Sequence, residues 1–211
     1  LFPYTTLFRS IASQLHSEPS HQLKAVVELP QKQAMAKLAA RLLHPDMTIY
    51  LDAGTSTLEI VPFIKALSGM TVVTNDFGIV LALMDALHVT VIHTGGQLDH
   101  SNHSCVGGLA VATLRQIVTD IAFISTSSWD LRRGLTTPSA LKVEVKQVAM
   151  QSASQVVLVA SSSKYGTFSM YKIAGIEQFD IVISDDALTP AAADSIRKQG
   201  VELLLPSDDS V

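Results

Sequence analysis

The stretch Asp52-Ala53-Gly54-Thr55-Ser56-Thr57 follows the apolar run "TIYL" and opens what reads as a helix. Its residue types suit an anion. Gly54 lets the backbone turn sharply and approach a ligand, while Thr55, Ser56 and Thr57 add hydroxyls to the free N–H groups of a starting helix. A phosphate fits best. A carboxylate repels phosphate, so the role expected of Asp52 is to brace the loop or accept a sugar hydroxyl. Lys164, in "SSSK", can supply positive charge at the same edge. Alone, Thr55 or Ser56 reads as an ordinary helix cap and Lys164 as a solvated lysine.

The other strand ends carry comparable groups. Thr74-Asn75-Asp76 follows "TVV", Thr94-Gly95-Gly96 follows "VTVIH", Thr126 to Asp130 follows "IAFIS", and Ser161 to Lys164 follows "VVLVA". Polar groups converging at one sheet edge are the usual mark of a binding pocket. Competing chemistries are weaker. His93, Asp99, His100, His103 and Cys105 are zinc-binding types at spacings that match no structural zinc pattern. Ser161-x-x-Lys164 lacks the companion elements of penicillin-binding serine hydrolases. A sugar-phosphate isomerase is the serious alternative, with Asp130 as base and Lys142, Lys146 or Lys164 polarising the carbonyl. Neither a cofactor nor a metal is expected.

The elements that must position these residues alternate between apolar strands and helices. "QKQAMAKLAARLL" has Ala34, Leu38 and Leu42 on one helical face. Helices are expected near Thr57 to Leu67, Phe77 to Leu87, Leu109 to Ile117 and Ala140 to Ser152, and through "AAADSIRKQ". The intervening strands are continuously rich in Val, Ile and Leu, which implies an α/β fold with a mostly parallel sheet and helices on both faces. "TGGQLDHSNHSCVGG" reads as turn.

Composition bounds the partners. The chain has 211 residues, 47% hydrophobic and 16% charged, with a net charge of −4, which leaves no basic field for nucleic acid. No apolar run approaches the roughly 18 residues of a membrane span. The single Cys105 suits a reducing, cytoplasmic compartment. "LFPYTTLFRS" is a poor signal peptide and looks like the translation of a sequencing adapter. The expected organisation is therefore a leader over 1–10, a linker remnant over 11–29, a ligand-binding domain over 30–206 and a tail over 207–211.

The ordered series "LDAGTST", "VVTND", "HTGGQLD", "SCVGGLA", "DIAFISTSSWD", "RGLTT", "VEVKQVAM", "SSSKYG" and "FDIVISDD" resembles the C-terminal effector-binding domain of the DeoR family of bacterial transcription regulators. The match runs from about Gln31 to Leu205. It implies a fold like that of ribose-5-phosphate isomerase and glucosamine-6-phosphate deaminase, a phosphorylated sugar or sugar-acid effector, and a homodimer or homotetramer. It also implies a winged helix-turn-helix preceding Ile11, through which alone operator DNA would be bound. Carried onto this sequence, it places Asp52, Gly54, Thr55, Ser56 and Thr57 in the phosphate or sugar loop and Asn75, Gly95 and Gly96 on neighbouring loops. Asp130 faces the sugar and Lys164 lies near the phosphate. Two departures, "STSSWD" in place of a Gly-rich approach and Ser161 in place of an acid, bear on pocket size.

Overall fold

A computed structural model describes residues 14–16 and 21–209. Helices α1 (His21–Val26) and α2 (Leu29–Ala40) precede strand β1 (Thr48–Leu51). Then come α3 (Thr55–Leu58), α4 (Val61–Ile64), β2 (Thr71–Thr74), α5 (Phe77–Leu83) and β3 (Thr90–His93). A hairpin of β4 (Gln97–Asp99) and β5 (Ser104–Val106) leads to α6 (Gly108–Leu114), β6 (Thr119–Ser125), β7 (Ser128–Asp130), β8 (Gly134–Thr137) and α7 (Ala140–Gln151). The chain continues through β9 (Ala153–Val159), β10 (Tyr171–Ala174), β11 (Ile181–Ile183), α8 (Pro190–Arg197) and β12 (Glu202–Leu204).

Seven strands form one sheet in the order β12-β11-β9-β6-β1-β2-β3, with every pair parallel. Side chains alternate across a strand, and both faces are buried, as a parallel sheet requires. Ile49 and Leu51 join Met35, Leu38, Ile60 and Ile79 in one core cluster. Tyr50 points the other way, into a second cluster with Val111, Val145, Val148 and Ile196. The α/β architecture expected from the sequence is the one found. From β1 the strand order runs outward in both directions, so the chain reverses between β1 and β6. That reversal opens a crevice at the carboxyl ends of these two strands.

Three local expectations change. The helix expected near Thr57 to Leu67 is two four-residue pieces, because Pro62 cannot donate a helical hydrogen bond and sits in the first turn of a new helix. "TGGQLDHSNHSCVGG", read as turn, contains the antiparallel β4–β5 hairpin, and β7, β8 and β10 make a further antiparallel sheet. Strands of three or four polar residues carry too few periods to be read from pattern. Within 11–29, expected to be linker, residues 21–26 form α1, while the 1–10 leader lies outside the described residues. Among the described residues no helix is long and apolar enough to cross a membrane.

Candidate functional site

Directly beyond β1, Asp52 is 1% exposed and acts as a brace. Its Oδ2 accepts from the Ser125 N–H at 2.9 Å, lies 2.9 Å from the Ser125 hydroxyl, and is ion-paired with the Lys146 ammonium. Lys146 also donates to the Ser125 carbonyl at 2.9 Å. This knot fastens the end of β1 to the end of β6 and to α7. Gly54 fits against it with no room to spare, since a Cβ there would lie 2.6 Å from Ser125 Oγ.

A second brace joins the same turn to the end of β2. Asn75 Oδ1 accepts from the Tyr50 hydroxyl at 2.9 Å and the Ala53 N–H at 3.0 Å, while its Nδ2 donates to the Cys105 carbonyl. Asp76 caps α5, accepting from Gly78 and Ile79, and its other oxygen takes the Gly54 N–H at 3.1 Å. Burial pushes the Asp76 carboxyl up to about 6, outweighing the N–H groups that favour its anion. A carboxyl raised in the folded state binds its proton more tightly there than when unfolded, so its contribution to stability falls as pH rises from about 4 through about 6. Asp76→Asn is expected to remove that fall. In urea unfolding between pH 4 and 7, the variant should gain on the order of 2–3 kcal/mol relative to the unsubstituted chain. Parallel pH profiles for the two proteins would contradict this.

Above these braces lies a cavity of about 300 Å³. Gly54, Thr55, Ser56, Ser125, Thr126 and Ser127 line it from the ends of β1 and β6. Leu58 is the first residue of α3 whose N–H donates, to Gly54 O, so the N–H groups of Thr55, Ser56 and Thr57 have no intrahelical partner. The hydroxyls of Ser56 and Ser127 are buried without any hydrogen-bond partner. Such groups are costly unless something pairs with them. Five lysines line the cavity, Lys24, Lys32, Lys142, Lys146 and Lys164, against the single carboxylate of Glu28. Lys146 is neutralised by Asp52, and Lys142 pairs with Asp99 at 3.2 Å. Lys32, 3% exposed, donates to the carbonyls of Lys24 and Val27, and burial lowers its pKa.

The structure divides the residues singled out from sequence. Gly54, Thr55, Ser56 and Lys164 line the cavity. Asp52 and Asn75 sit beneath it as braces, and the Thr57 hydroxyl is turned back onto the carbonyls of Asp52 and Gly54. The Gly54 N–H, expected to face an anion, belongs to Asp76. Gly95 and Gly96 lie outside the lining and form the turn into the hairpin, where Gly96 has φ +121° and a Cβ would meet Val106 O at 2.8 Å. Asp130 is also outside, held by the Arg133 side chain at 2.7 Å and the Arg133 N–H.

Sequence reading missed Lys24 and Lys32 as cavity groups, placed Ser127 only within the polar strand end Thr126 to Asp130, and named Lys142 and Lys146 only for an enzyme. The last two had a signal: they are four apart on α7 and share a face with apolar Val145 and Ala149. A lysine pair on the buried face of a helix needs partners. Lys24 and Lys32 gave no such signal in the sequence, because their approach to the cavity depends on how α1 and the start of α2 pack over the strand ends. Among the described residues no group of three or more His, Cys, Asp or Glu could hold a metal.

Comparison with known proteins gives the family and the fold. Residues 28–186 match the family described as the DeoR C-terminal sensor domain. An uncharacterized HTH-type transcriptional regulator, YgbI of Escherichia coli K12, is 43% identical over 91% of this chain and 75% of its own length. The deoxyribose operon repressor of the same organism is 34% identical over 82% of this chain and 68% of its length. Among solved structures, eIF2B beta from Chaetomium thermophilum superimposes with a TM-score of 0.51 at 10% identity, covering 73% of this chain and 48% of that one, a likeness of fold alone. Ribose-5-phosphate isomerase A from Methanocaldococcus jannaschii gives a TM-score of 0.46 at 15% identity, over 64% of this chain and 53% of its own. With three quarters of the chain under that family's pattern and relatives that are transcription regulators, this protein belongs to the DeoR C-terminal sensor domain family.

Proposed function

We propose that the cavity at the β1/β6 crevice is the effector site of a transcriptional regulator of sugar catabolism, and that it takes a phosphorylated sugar or sugar acid. The observation that carries the reading is the cavity's lining, where the buried hydroxyls of Ser56 and Ser127 have no partner beside a lysine-rich wall in which Asp52 and Asp99 pair with Lys146 and Lys142, around about 300 Å³, a volume suited to a small metabolite. The phosphate sits at the start of α3, on the N–H groups of Thr55 and Ser56 and the Ser56 hydroxyl, with Lys164 supplying charge. Ser127 and Lys24 reach the remainder of the ligand. One relative is named for a deoxyribose operon, which is consistent with a sugar-derived effector. In the whole regulator a DNA-binding part acts on operator DNA, and this domain biases it.

The isomerase alternative needs a base beside the substrate carbon. Its candidate, Asp130, is committed to Arg133 outside the cavity, and two of its candidate polarisers, Lys142 and Lys146, are paired with carboxylates. The sensor reading is tested by thermal shift with pentose, hexose and tetronate phosphates beside their unphosphorylated parents. A ligand at about 100 times its Kd stabilises the native state by about 2.7 kcal/mol. Stabilisation by phosphorylated members only is the expected result, and equal shifts from the parent sugars would remove the phosphate from the site.

A further inference from the structure

Helix α1 and the Glu28 junction that follows it cover the cavity, and their bonds run to three different walls. The Lys24 carbonyl accepts from the Thr55 hydroxyl at 3.4 Å, on the α3 turn. The Lys24 ammonium donates to Asn102 Oδ1 at 3.1 Å, on the β4–β5 hairpin. Glu28 accepts from the Ser163 hydroxyl at 3.0 Å, beyond the end of β9. Leu23, Lys24, Val27 and Glu28 all line the cavity, so a ligand cannot fill the space without meeting this segment.

The segment is built to move. Six residues fall well short of the roughly 12–15 an isolated helix needs in water, so α1 depends on these contacts. It buries little apolar surface, with Leu23 56% and Val26 71% exposed. Few buried contacts and a short span mark the low-stability end of a domain. The junction to α2 is Glu28 at φ 55°, ψ 35°, a left-handed conformation that disfavours residues with a Cβ. Beyond that junction α2 is anchored by Met35, Leu38 and Ala39 in the core. Lys32 holds the end of α1 through the carbonyls of Lys24 and Val27.

Chain preceding α1 is fastened separately. Gln14 bridges in parallel to Phe168, and the Leu15 N–H donates to the Phe168 carbonyl at 2.8 Å. The Phe168 ring carries the Arg133 guanidinium 4.1 Å from its centroid, and Arg133 is held by Asp130. Leu15 itself lines the cavity. Asp130, expected to face a sugar, instead anchors the segment to which this strap is tied.

We propose that α1 is a lid over the effector cavity, hinged at Glu28, latched by Lys24 and Glu28 and tied down by the strap at Leu15, so that the position of the chain on its N-terminal side controls ligand access. This rests on the cavity being the effector site, and the same lid carries occupancy back to that chain: a ligand that contacts Lys24 favours the closed lid. The direction of coupling is reciprocal, as linkage requires.

The test is cysteine accessibility in the full chain. Ser127→Cys places a thiol at the cavity wall, and its labelling by N-ethylmaleimide is followed with the buried native Cys105 as background. The double variant Lys24→Ala/Glu28→Ala, which removes both latches, is expected to speed labelling about tenfold, the scale of losing two ordinary hydrogen bonds. Leu15→Pro, which removes the strap's N–H donor together with a side chain of the cavity wall, should speed it severalfold more than Leu15→Ala, which keeps the N–H. Hydrogen exchange of the 21–28 amides, measured without the added cysteine, should rise in the same variants and stay unchanged in α2. Labelling and exchange that ignore the latch variant would overturn the lid, and indifference to Leu15→Pro would overturn control by the preceding chain. Sugar phosphates should slow labelling where the latches are intact, and less where Lys24 is lost. If the variants behave as expected but phosphorylated compounds neither slow labelling nor raise the Tm of the unsubstituted protein, the lid stands and the effector class falls.

Discussion

Asp52→Ala is expected to destabilise the domain by about 3–5 kcal/mol, the range for removing one partner of a buried ion pair. For a domain of this size that corresponds to a fall in Tm of roughly 6–20 °C. Asp52 is 1% and Lys146 6% exposed, so the ammonium left behind keeps only the Ser125 carbonyl and the water that the cavity admits. The Ser125 N–H would lose its acceptor as well. Lys146→Met alone should be costly for the converse reason, leaving a buried carboxylate held only by Ser125 and, at 3.5 Å, the Tyr50 hydroxyl. Asp52→Asn/Lys146→Met removes both charges and keeps the volume, so it should recover more than half of the loss. Urea unfolding of the unsubstituted chain, Asp52→Asn, Lys146→Met and the double variant closes the cycle. A single-variant loss below about 1 kcal/mol, the range of exposed pairs, would mean that water reaches the pair and the loop is braced by other contacts.

The second large effect is on ligand affinity. Lys164→Ala is expected to weaken a phosphorylated effector about 10- to 100-fold, as befits a hydrogen bond to a charged group, with little change in the Tm of the free protein because the side chain is only half-buried. Ser56→Ala is the more telling variant. Its hydroxyl is buried and unpartnered, so removing it should leave the free domain as stable or slightly more stable, while the ligand-induced shift shrinks. Free stability and ligand stabilisation moving in opposite directions is a signature that a helix cap cannot produce. Gly54→Val is a poor probe of the same contact. Its Cβ would lie 2.6 Å from Ser125 Oγ and 2.8 Å from Ser125 Cβ, so it breaks the brace whether or not a ligand approaches. Thermal shift and calorimetry with the phosphorylated panel separate these cases. Should Ser56→Ala keep the whole shift, the start of α3 is not the phosphate's seat.

Much of the fold was legible because a parallel sheet buried on both faces demands apolar runs, and "TIYL", "TVVT", "IAFIS" and "IVIS" have no other good use in water. The turn after β1 was legible for a related reason, since small residues and hydroxyls at a strand's carboxyl end mark where a ligand can approach. Pro62 was in plain view and should have split the helix expected from Thr57 to Leu67. The β4–β5 hairpin and the β7–β8 pair were not legible, because these short strands mix polar and apolar residues and so show neither the continuous apolar run of "TIYL" nor a regular alternation.

The division of labour among the polar groups is a tertiary fact. By itself the sequence determined most of the residues that gather at the strand ends, and with them the family. It could not determine which of them turn inward as braces. Asp52 finds its partners 73 and 94 residues away, in Ser125 and Lys146, and these occupy the acceptor that the sequence reading left open to a sugar hydroxyl. Asp130 is held by Arg133 beneath the strap, and the lid at α1 exists only because a short polar helix folds back over strand ends far along the chain. A carboxylate or an ammonium takes its role from whichever opposite charge lies within reach after folding, and strand order, set by how the chain crosses over the sheet, decides which charges those are.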